Sequence, residues 1–285
     1  MLKQALDSID SYIAYFASRE IPVLRRSMRS LTELRVNEDN LSGRVLAAEV
    51  LQDPMLALRV LVLLEATRSQ RQNHDITTID RAIMMMGFSR FFEKFGKLPT
   101  VEESLATHPK ALVGLLRVVG RARHAARWAR DFALLRHDID VDEVTVAALL
   151  HEAAEILFWC FAPDFMQKIE QIKQANPGTR SAVAQEAVLG VRIRDVQLAL
   201  VQAWSLPQLL ITLMDEENAE NPRVRTVILT CNLARHAANG WSDPALPDDY
   251  TAIAELLRIK PSAVMQRAGA PEEYWQPVAA AESED

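Results

Sequence analysis

Two of the six histidines lie in sequence contexts that could support metal chemistry. His151 and Glu152 follow the apolar run VTVAALL and precede a second apolar stretch, ILFWCF, and His124 lies upstream in the segment RARHAARWARDFA. Two imidazoles and a carboxylate are ligands that a metal-dependent hydrolase uses, because the ion must be held while it lowers the pKa of a bound water. A histidine within an apolar helical pattern is also often a hydrogen-bonded core residue. Both interpretations stay open at this point.

Three other histidines and the two cysteines have structural interpretations. His74 and His108 fall in polar loops, and His236 falls late in a helix, where a partly charged imidazole suits the C-terminal end of the helix dipole. Cys160 and Cys231 lie in apolar helical patterns, which predicts buried, reduced thiols.

The elements that would position these side chains are helices. Apolar residues recur three and four positions apart through nearly the whole chain, which predicts an all-α fold. Segment 54–66 is apolar nearly all round, so we expect it at the centre of a core. The predicted helices cover residues 3–17, 21–35, 41–51, 54–66, 78–86, 109–135, 141–161, 163–175, 179–189, 194–204, 207–219, 222–239 and 248–258, with polar or irregular segments at 67–77 and 96–108.

Several helix boundaries have a specific cause in the sequence. Asp53 and Asn221 each stand before a proline, the arrangement of a capping side chain ahead of the first helical residue. Thr77 and Asp80 form a pattern close to a capping box at the start of helix 78–86.

The bulk composition favours a globular protein of the cytoplasm. The 285 residues are 49% hydrophobic and 25% charged, enough for one large core or two packed helical subdomains. The net charge of −6 does not draw the chain onto nucleic acid or an anionic membrane. The most apolar run, residues 54–64, contains Arg59 and is too short to span a bilayer, so we expect no membrane association.

One predicted helix, 109–135, is rich in arginine. Arg117 and Arg121 occupy one of its faces, and Arg123, Arg127 and Arg130 occupy another. A solvated or bridging helix is the favoured interpretation, and an anion or nucleic-acid site is the alternative. The tryptophans of the helical patterns are expected to be core anchors: Trp128, Trp159 and Trp204.

Residues 20–240 resemble the HDOD (HD-related output domain) family. The family's "P.LP" start falls on residues 21–24, its "I..DP.L..RlLrlaNs" helix on 51–66, and its "I.Sl..Ai..LG" helix on 76–87. Further along, residues 121–129 are similar to "W.HS..vA", residues 148–152 to "GLLHDiG", and residues 186–207 to "E...G..H.evG..L...W.LP". The order and spacing of these segments carry the resemblance.

The resemblance implies an HD-like multi-helix bundle of two packed helical subdomains, residues 20–108 and 109–240. An N-terminal helix at 1–19 would precede this HDOD-like domain, and C-terminal helices with a frayed tail would follow at 241–285.

The departures from the related HD phosphohydrolases concern the metal ligands. Those enzymes use a first His, an adjacent His-Asp pair and a later Asp. His124 and His151 match two of these positions, whereas Glu152 replaces the first Asp and Asn232 aligns with the later one. An amide is a much poorer ligand for a divalent metal than a carboxylate.

Two further departures weaken phosphate chemistry. Ala154-Glu155 stands where the enzymes have "GK", and Ile193 stands where they have an additional His. We therefore predict no catalytic residue, no cofactor and no metal, with His124, His151, Glu152 and Asn232 as vestigial positions. We also expect His124 and His151 to approach each other between two packed helices.

The leading hypothesis is a non-catalytic bacterial signalling protein that acts by binding a protein or a ligand. The resemblance implies partners among receiver, histidine kinase or cyclic-di-GMP-related proteins, and the length of the chain leaves no room for such a domain beside the HDOD-like region. One alternative is a divergent metal-dependent phosphohydrolase using His124, His151 and Glu152. Another is a nucleic-acid-associated regulator, which would depend on the arginine-rich helix.

Overall fold

The computed structural model of the protein describes residues 1–67, 76–176 and 178–275, and it confirms the all-α fold. Within these residues the β-structure is a single isolated bridge between Val23 and Thr100. Contacts divide the chain into two units that interleave along the sequence. Unit 1 comprises Met1–Val119 and Leu150–Ile211, and unit 2 comprises Gly120–Leu149 and Thr212–Asp285. The sequence-based division at residues 19, 108 and 240 is contiguous instead, and it stays a prediction.

The helices are numbered in chain order. They are α1 (Ile9–Ala17), α2 (Arg25–Val36), α3 (Gly43–Val50), α4 (Pro54–Ala66), α5 (Ile79–Met86), α6 (Phe88–Phe95), α7 (Val101–Ser104), α8 (Pro109–Leu135), α9 (Val141–Leu150), α10 (Ala153–Phe161), α11 (Pro163–Ala175), α12 (Ser181–Leu189), α13 (Ile193–Ala203), α14 (Gln208–Met214), α15 (Pro222–Ala237), α16 (Leu246–Leu257) and α17 (Pro261–Ala268). Short 3₁₀ turns cover Glu38–Asn40, Glu216–Asn218 and Glu272–Tyr274.

The core of unit 1 forms around α4, as predicted. Residues 54–58, 60, 61 and 64 of this helix are buried, and each fully buried large apolar side chain contributes about 1.5–3 kcal/mol. An aromatic cluster joins α1 to α10, with ring centroids 5.2 Å apart for Tyr12 and Phe158 and 5.0 Å apart for Phe16 and Phe158. The Tyr12 hydroxyl donates to the carbonyl of Leu189 at 2.9 Å, so its polar atom is satisfied within the core.

Unit 2 is organised by α15 and α16. His236, in the last turn of α15 as predicted, forms a 2.6 Å hydrogen bond with the buried carboxylate of Asp249 on α16. At the other end of α15, Arg223 forms a 2.7 Å ion pair with Glu143, and Arg136 donates to the carbonyl of Pro222 at 2.6 Å. Both ends of α15 are thus tied to neighbouring elements by charged groups.

The predicted caps are confirmed at two of three helix starts. Asp53 accepts hydrogen bonds from the amides that open α4, and Asn221 accepts one from Arg223 at the start of α15. The predicted Thr77–Asp80 capping box stays a prediction, although α5 begins one residue later than expected. The residue that precedes α5 is Thr78, one position later, and its side chain makes no capping bond.

Some elements lie outside the sequence prediction. Helix α1 begins at Ile9, because Ser8 caps it, and α7 lies within the segment predicted to be irregular and begins with a capping box of Thr100 and Glu103. The prediction also omitted α6 and α17, and it joined α9 and α10 into one helix. His74 lies outside the described residues.

Both cysteines are buried free thiols, as predicted. Burial, reinforced by the negative charge of Asp53, raises the pKa of the Cys160 thiol, so this thiol stays protonated at neutral pH. Trp128 and Trp159 are buried core residues, whereas Trp204 is half-buried.

Within the described residues, the stretch Val141–Phe161 is long and apolar enough to cross a membrane. Its most apolar window is 78% buried inside the protein, which is typical of a core element of a soluble protein.

Candidate functional site

The predicted site residues are distributed over both units. His151 and Glu152 form the turn between α9 and α10, in unit 1, and both are half-buried. His124 lies on α8 and Asn232 on α15, both in unit 2. The expected approach of His124 to His151 stays a prediction.

The turn at His151 and Glu152 has a clear physical cause. In a continuous helix the carbonyl of Leu150 would accept a hydrogen bond from the amide of Ala154, four residues later. Instead, the side-chain amide of Gln197 lies between the two groups. Its Nε2 donates to the Leu150 carbonyl at 3.0 Å, and its Oε1 accepts from the Ala154 amide at 2.7 Å.

Insertion of a side chain into the helical hydrogen-bond ladder is a recognised cause of a helix break. Gln197 lies on α13 and is only 4% exposed, so its two bonds are shielded from water. Gln197 could not be singled out from the sequence, because nothing in the pattern of α13 distinguishes it from an ordinary polar residue on that helix.

Helix α10, which follows the break, is also fixed by α8. Gly114 of α8 faces the indole of Trp159, and a Cβ atom on Gly114 would lie 2.5 Å from the ring. No side chain fits at that distance, so glycine is required for the close approach of the two helices. The features that position His151 and Glu152 are thus the bonds of Gln197 to the main chain and the close approach of Gly114 to Trp159.

His124 lies in a cationic environment. The residue is exposed, and its ring packs against Trp128 with the centroids 5.6 Å apart. Partial desolvation, reinforced by the positive charges of Arg127 and Arg123, lowers the pKa of His124. A neutral imidazole can bind a metal, but the same two arginines repel a divalent cation.

Asn232 also has a positive charge beside it. Its Oδ1 atom, the one that would face a metal, accepts a hydrogen bond from the guanidinium of Arg235 at 2.5 Å. At the position aligned with the later metal-binding aspartate, the chain therefore presents an amide oxygen that is already bonded to a cation.

The other residues that differ from the phosphohydrolase pattern have structural roles. Ile193 is a buried apolar residue at the start of α13, and its amide donates to the side chain of Gln185 at 3.1 Å. Ala154 is buried, and its amide is bonded by Gln197. Within residues 1–67, 76–176 and 178–275, no three His, Cys, Asp or Glu side chains form a group that could hold a metal ion.

A second polar centre in unit 1 surrounds Asp53, which is fully buried. One carboxylate oxygen accepts from the amides of Met55 and Leu56 at 2.9 and 3.2 Å, and the other accepts from the amide of Leu24 at 2.7 Å and the hydroxyl of Ser27 at 2.9 Å. Burial raises the pKa of Asp53, and these four hydrogen bonds oppose that shift. The sequence predicted the cap on α4 but not the bonds to the start of α2.

Comparison with known proteins gives a consistent result. The profile of the HDOD domain matches residues 21–220. A virulence factor from Campylobacter jejuni is similar in structure, with a TM-score of 0.63 and 17% identity over 94% of this chain and 92% of that one. The MmoQ response regulator from Methylococcus capsulatus is similar with a TM-score of 0.61 and 15% identity over 84% of this chain and 98% of that one. At these identities the likeness concerns the fold alone. No functionally curated protein matches the sequence.

Proposed function

The chain belongs to the HDOD family, and from this premise we propose that it is a non-catalytic regulatory protein that acts by binding a protein or a ligand. The observation that carries the proposal is the positive charge at two of the four positions aligned with metal ligands. Arg235 bonds to Asn232, and Arg123 and Arg127 flank His124. A site that must hold a divalent cation is not served by a cation bonded to one of its ligand positions and by two more beside another.

The break between α9 and α10 supports the same proposal. Gln197 satisfies the main-chain groups on both sides of His151 and Glu152, so the turn is stable without a metal to organise it. Metal ligands of enzymes are commonly oriented by further hydrogen bonds to the side chains themselves. Here the bonds of Gln197 go to the backbone, which is a structural role.

The partners we propose are signalling proteins of the bacterial cytoplasm, such as receiver or histidine kinase proteins or proteins of cyclic-di-GMP signalling. One structural relative is named a response regulator, which is consistent with partners in signalling. A protein without a reaction of its own would transmit a signal through such contacts.

Metal content and hydrolysis together test the proposal. The purified chain is incubated with Mn²⁺, Fe²⁺ or Zn²⁺, desalted and analysed for bound metal, and it is then assayed on bis(4-nitrophenyl) phosphate. We expect substoichiometric metal and the same background hydrolysis for the wild type, His151→Ala and the control His108→Ala. His108 lies in the same unit, and its ring bonds to the hydroxyl of Thr107 at 2.9 Å. Stoichiometric metal with turnover lost in His151→Ala alone would instead establish a divergent phosphohydrolase.

A further inference from the structure

Unit 1 contains an open cleft of about 800 Å³ that is separate from the break at His151 and Glu152. One wall is a face of α2 that presents Arg25, Arg29 and Glu33. The other wall is the segment 96–100, with Lys97 exposed and Leu98 buried at its base. The volume lies within the range of sites that bind small molecules or short peptide segments.

The second wall is held firmly to the start of α2. The amide of Val23 donates to the carbonyl of Pro99 at 3.0 Å, and the amide of Val101 donates to the carbonyl of Val23 at 2.9 Å. The carboxylate of Glu102 accepts a further bond from the amide of Arg25 at 2.9 Å. The cleft therefore has two walls whose spacing is fixed by main-chain bonds.

The charged residues of α2 form a regular row along the cleft. Arg25, Arg29 and Glu33 are spaced four residues apart, so they lie on one face at intervals of about 6 Å along the helix axis. In an extended peptide, side chains two residues apart lie on the same side at intervals of about 6.6 Å. An extended chain with acidic, acidic and basic residues at alternate positions matches this row in both spacing and charge.

The acidic residues at the end of the cleft near Arg25 already have partners. Glu20 forms an ion pair with Arg59 at 3.2 Å. Glu103 accepts a hydrogen bond from the amide of Thr100 at 3.2 Å, within the capping box of α7. Within the part of the chain that the structure describes, the side chains of Arg29 and Lys97 have no such partner, so an anion entering the cleft would meet unpaired cations from both walls.

The main chain of the second wall also contains N–H groups that could donate to a ligand. Among the described residues, none accepts a hydrogen bond from the amides of Lys97 and Leu98. An extended segment bound beside main-chain groups without partners typically gains affinity through such groups, and its side chains then provide specificity.

We propose that the cleft between α2 and the segment 96–100 binds an extended segment of a partner protein in which two acidic residues and one basic residue alternate with small residues. This assignment rests on the proposed function, because it names the kind of partner that a non-catalytic regulator would bind.

Fluorescence anisotropy with two synthetic peptides tests the assignment. The first is Ala-Glu-Ala-Glu-Ala-Lys-Ala, and the second has the charges reversed, Ala-Lys-Ala-Lys-Ala-Glu-Ala, each with a neutral fluorophore. At low ionic strength we expect the first to bind about tenfold more tightly, and we expect the preference to weaken with added salt. Equal binding of the two peptides, or binding of neither, would overturn the assignment.

A charge-swap variant tests the contribution of the charges themselves. The triple variant Arg25→Glu, Arg29→Glu, Glu33→Lys changes only exposed side chains and should reverse the preference for the two peptides. The control Arg26→Glu changes an exposed residue of the same helix that does not line the cleft, and it should leave the preference unchanged. A triple variant that keeps the original preference, or a control that abolishes it, would contradict the assignment.

The two proposals fail in different ways. Metal-dependent turnover lost in His151→Ala would refute the non-catalytic function while leaving the peptide preference measurable. Loss of the peptide preference in a chain without hydrolytic activity would refute only the assignment of the cleft.

Discussion

Two regions of unit 1 depend on a buried polar side chain that bonds to the main chain, but with opposite results. At the Asp53 junction, one carboxylate fixes the starts of α2 and α4. At the His151–Glu152 break, the amide of Gln197 separates two groups that would otherwise bond to each other, and the helix is interrupted. Asp53 thus stabilises the starts of two helices, whereas Gln197 stabilises the end of one.

The difference follows from the groups that each side chain must satisfy. Helix starts present N–H donors only, so a carboxylate, which only accepts, suits the Asp53 junction. The break presents one carbonyl and one N–H, so it needs a side chain that both donates and accepts, as an amide does. Exchanging the chemistry of the two residues should therefore damage both regions.

The largest effect is expected at the Asp53 junction. Asp53→Ala removes the cap of α4 and leaves buried donors at Leu24 and Ser27 without a partner, which should lower the free energy of unfolding by about 3–5 kcal/mol. Urea unfolding followed by circular dichroism measures this loss. Asp53→Ser should recover part of it, because serine can cap α4 but is too short to reach α2. Equal losses for the two variants would show that the bonds to α2 dominate.

A smaller effect is expected where α8 supports α10. Gly114→Ala places a methyl group against the Trp159 ring in a packed core, which should destabilise the protein by about 2 kcal/mol in thermal or urea unfolding. Gly120→Ala is the matched control on the same helix, since no atom lies within 4 Å of its Cβ position. It should stabilise the helix by about 0.5–1 kcal/mol. A stabilising Gly114→Ala would mean that α10 shifts easily.

Substitutions at the break between α9 and α10 should lower the free energy of unfolding by less. Gln197→Leu removes both bonds of the side chain, yet the Leu150 carbonyl and the Ala154 amide can then bond to each other as in a continuous helix. We expect a loss of about 1–2 kcal/mol, together with altered hydrogen exchange at the Ala154 amide. Gln197→Glu, which accepts but does not donate when ionised, should be worse than Gln197→Leu. The reverse order would indicate that the break does not need the donor.

The smallest effect concerns His124, which is exposed, whereas Asp53 and Gln197 are buried. Because its pKa is lowered in the folded state, protonation favours the unfolded chain. Its contribution to stability is therefore fully present above the ordinary value of 6.5 and is lost as the pH falls below it. An NMR titration of the ring should give a midpoint below 6.5, and Arg127→Gln should raise it. A midpoint unchanged by that substitution would contradict the role of Arg127.

The sequence could predict those features in which the bonded residues lie close together along the chain. The cap on α4 was predictable, because Asp53 bonds to amides two and three residues later. The break was not, because Gln197 lies 43 and 47 residues from the groups that it bonds. The apolar pattern continues on both sides of His151 and Glu152, so periodicity alone predicted one unbroken helix.

The residue types at the candidate site could be predicted from the sequence, but the charges and hydrogen bonds around them could not. The amide at position 232 was evident from alignment with the family pattern, whereas its bond to Arg235 needed the geometry of α15. Helix α6 was missed although its buried Phe91, Phe92 and Phe95 share one face, because the helix is only eight residues long and immediately follows Gly87.

The bond between Arg25 and Glu102 has a consequence for folding and for ligand binding. It joins residues 77 apart in the sequence, so the cleft exists only when these two distant segments have come together in the fold. A peptide that occupies the cleft would therefore bind the native state and not the unfolded chain. By mass action, such a peptide at one hundred times its Kd would stabilise the protein by about 2.7 kcal/mol. Occupancy of the cleft by a partner would then also reduce the fraction of unfolded chain that is open to proteolysis.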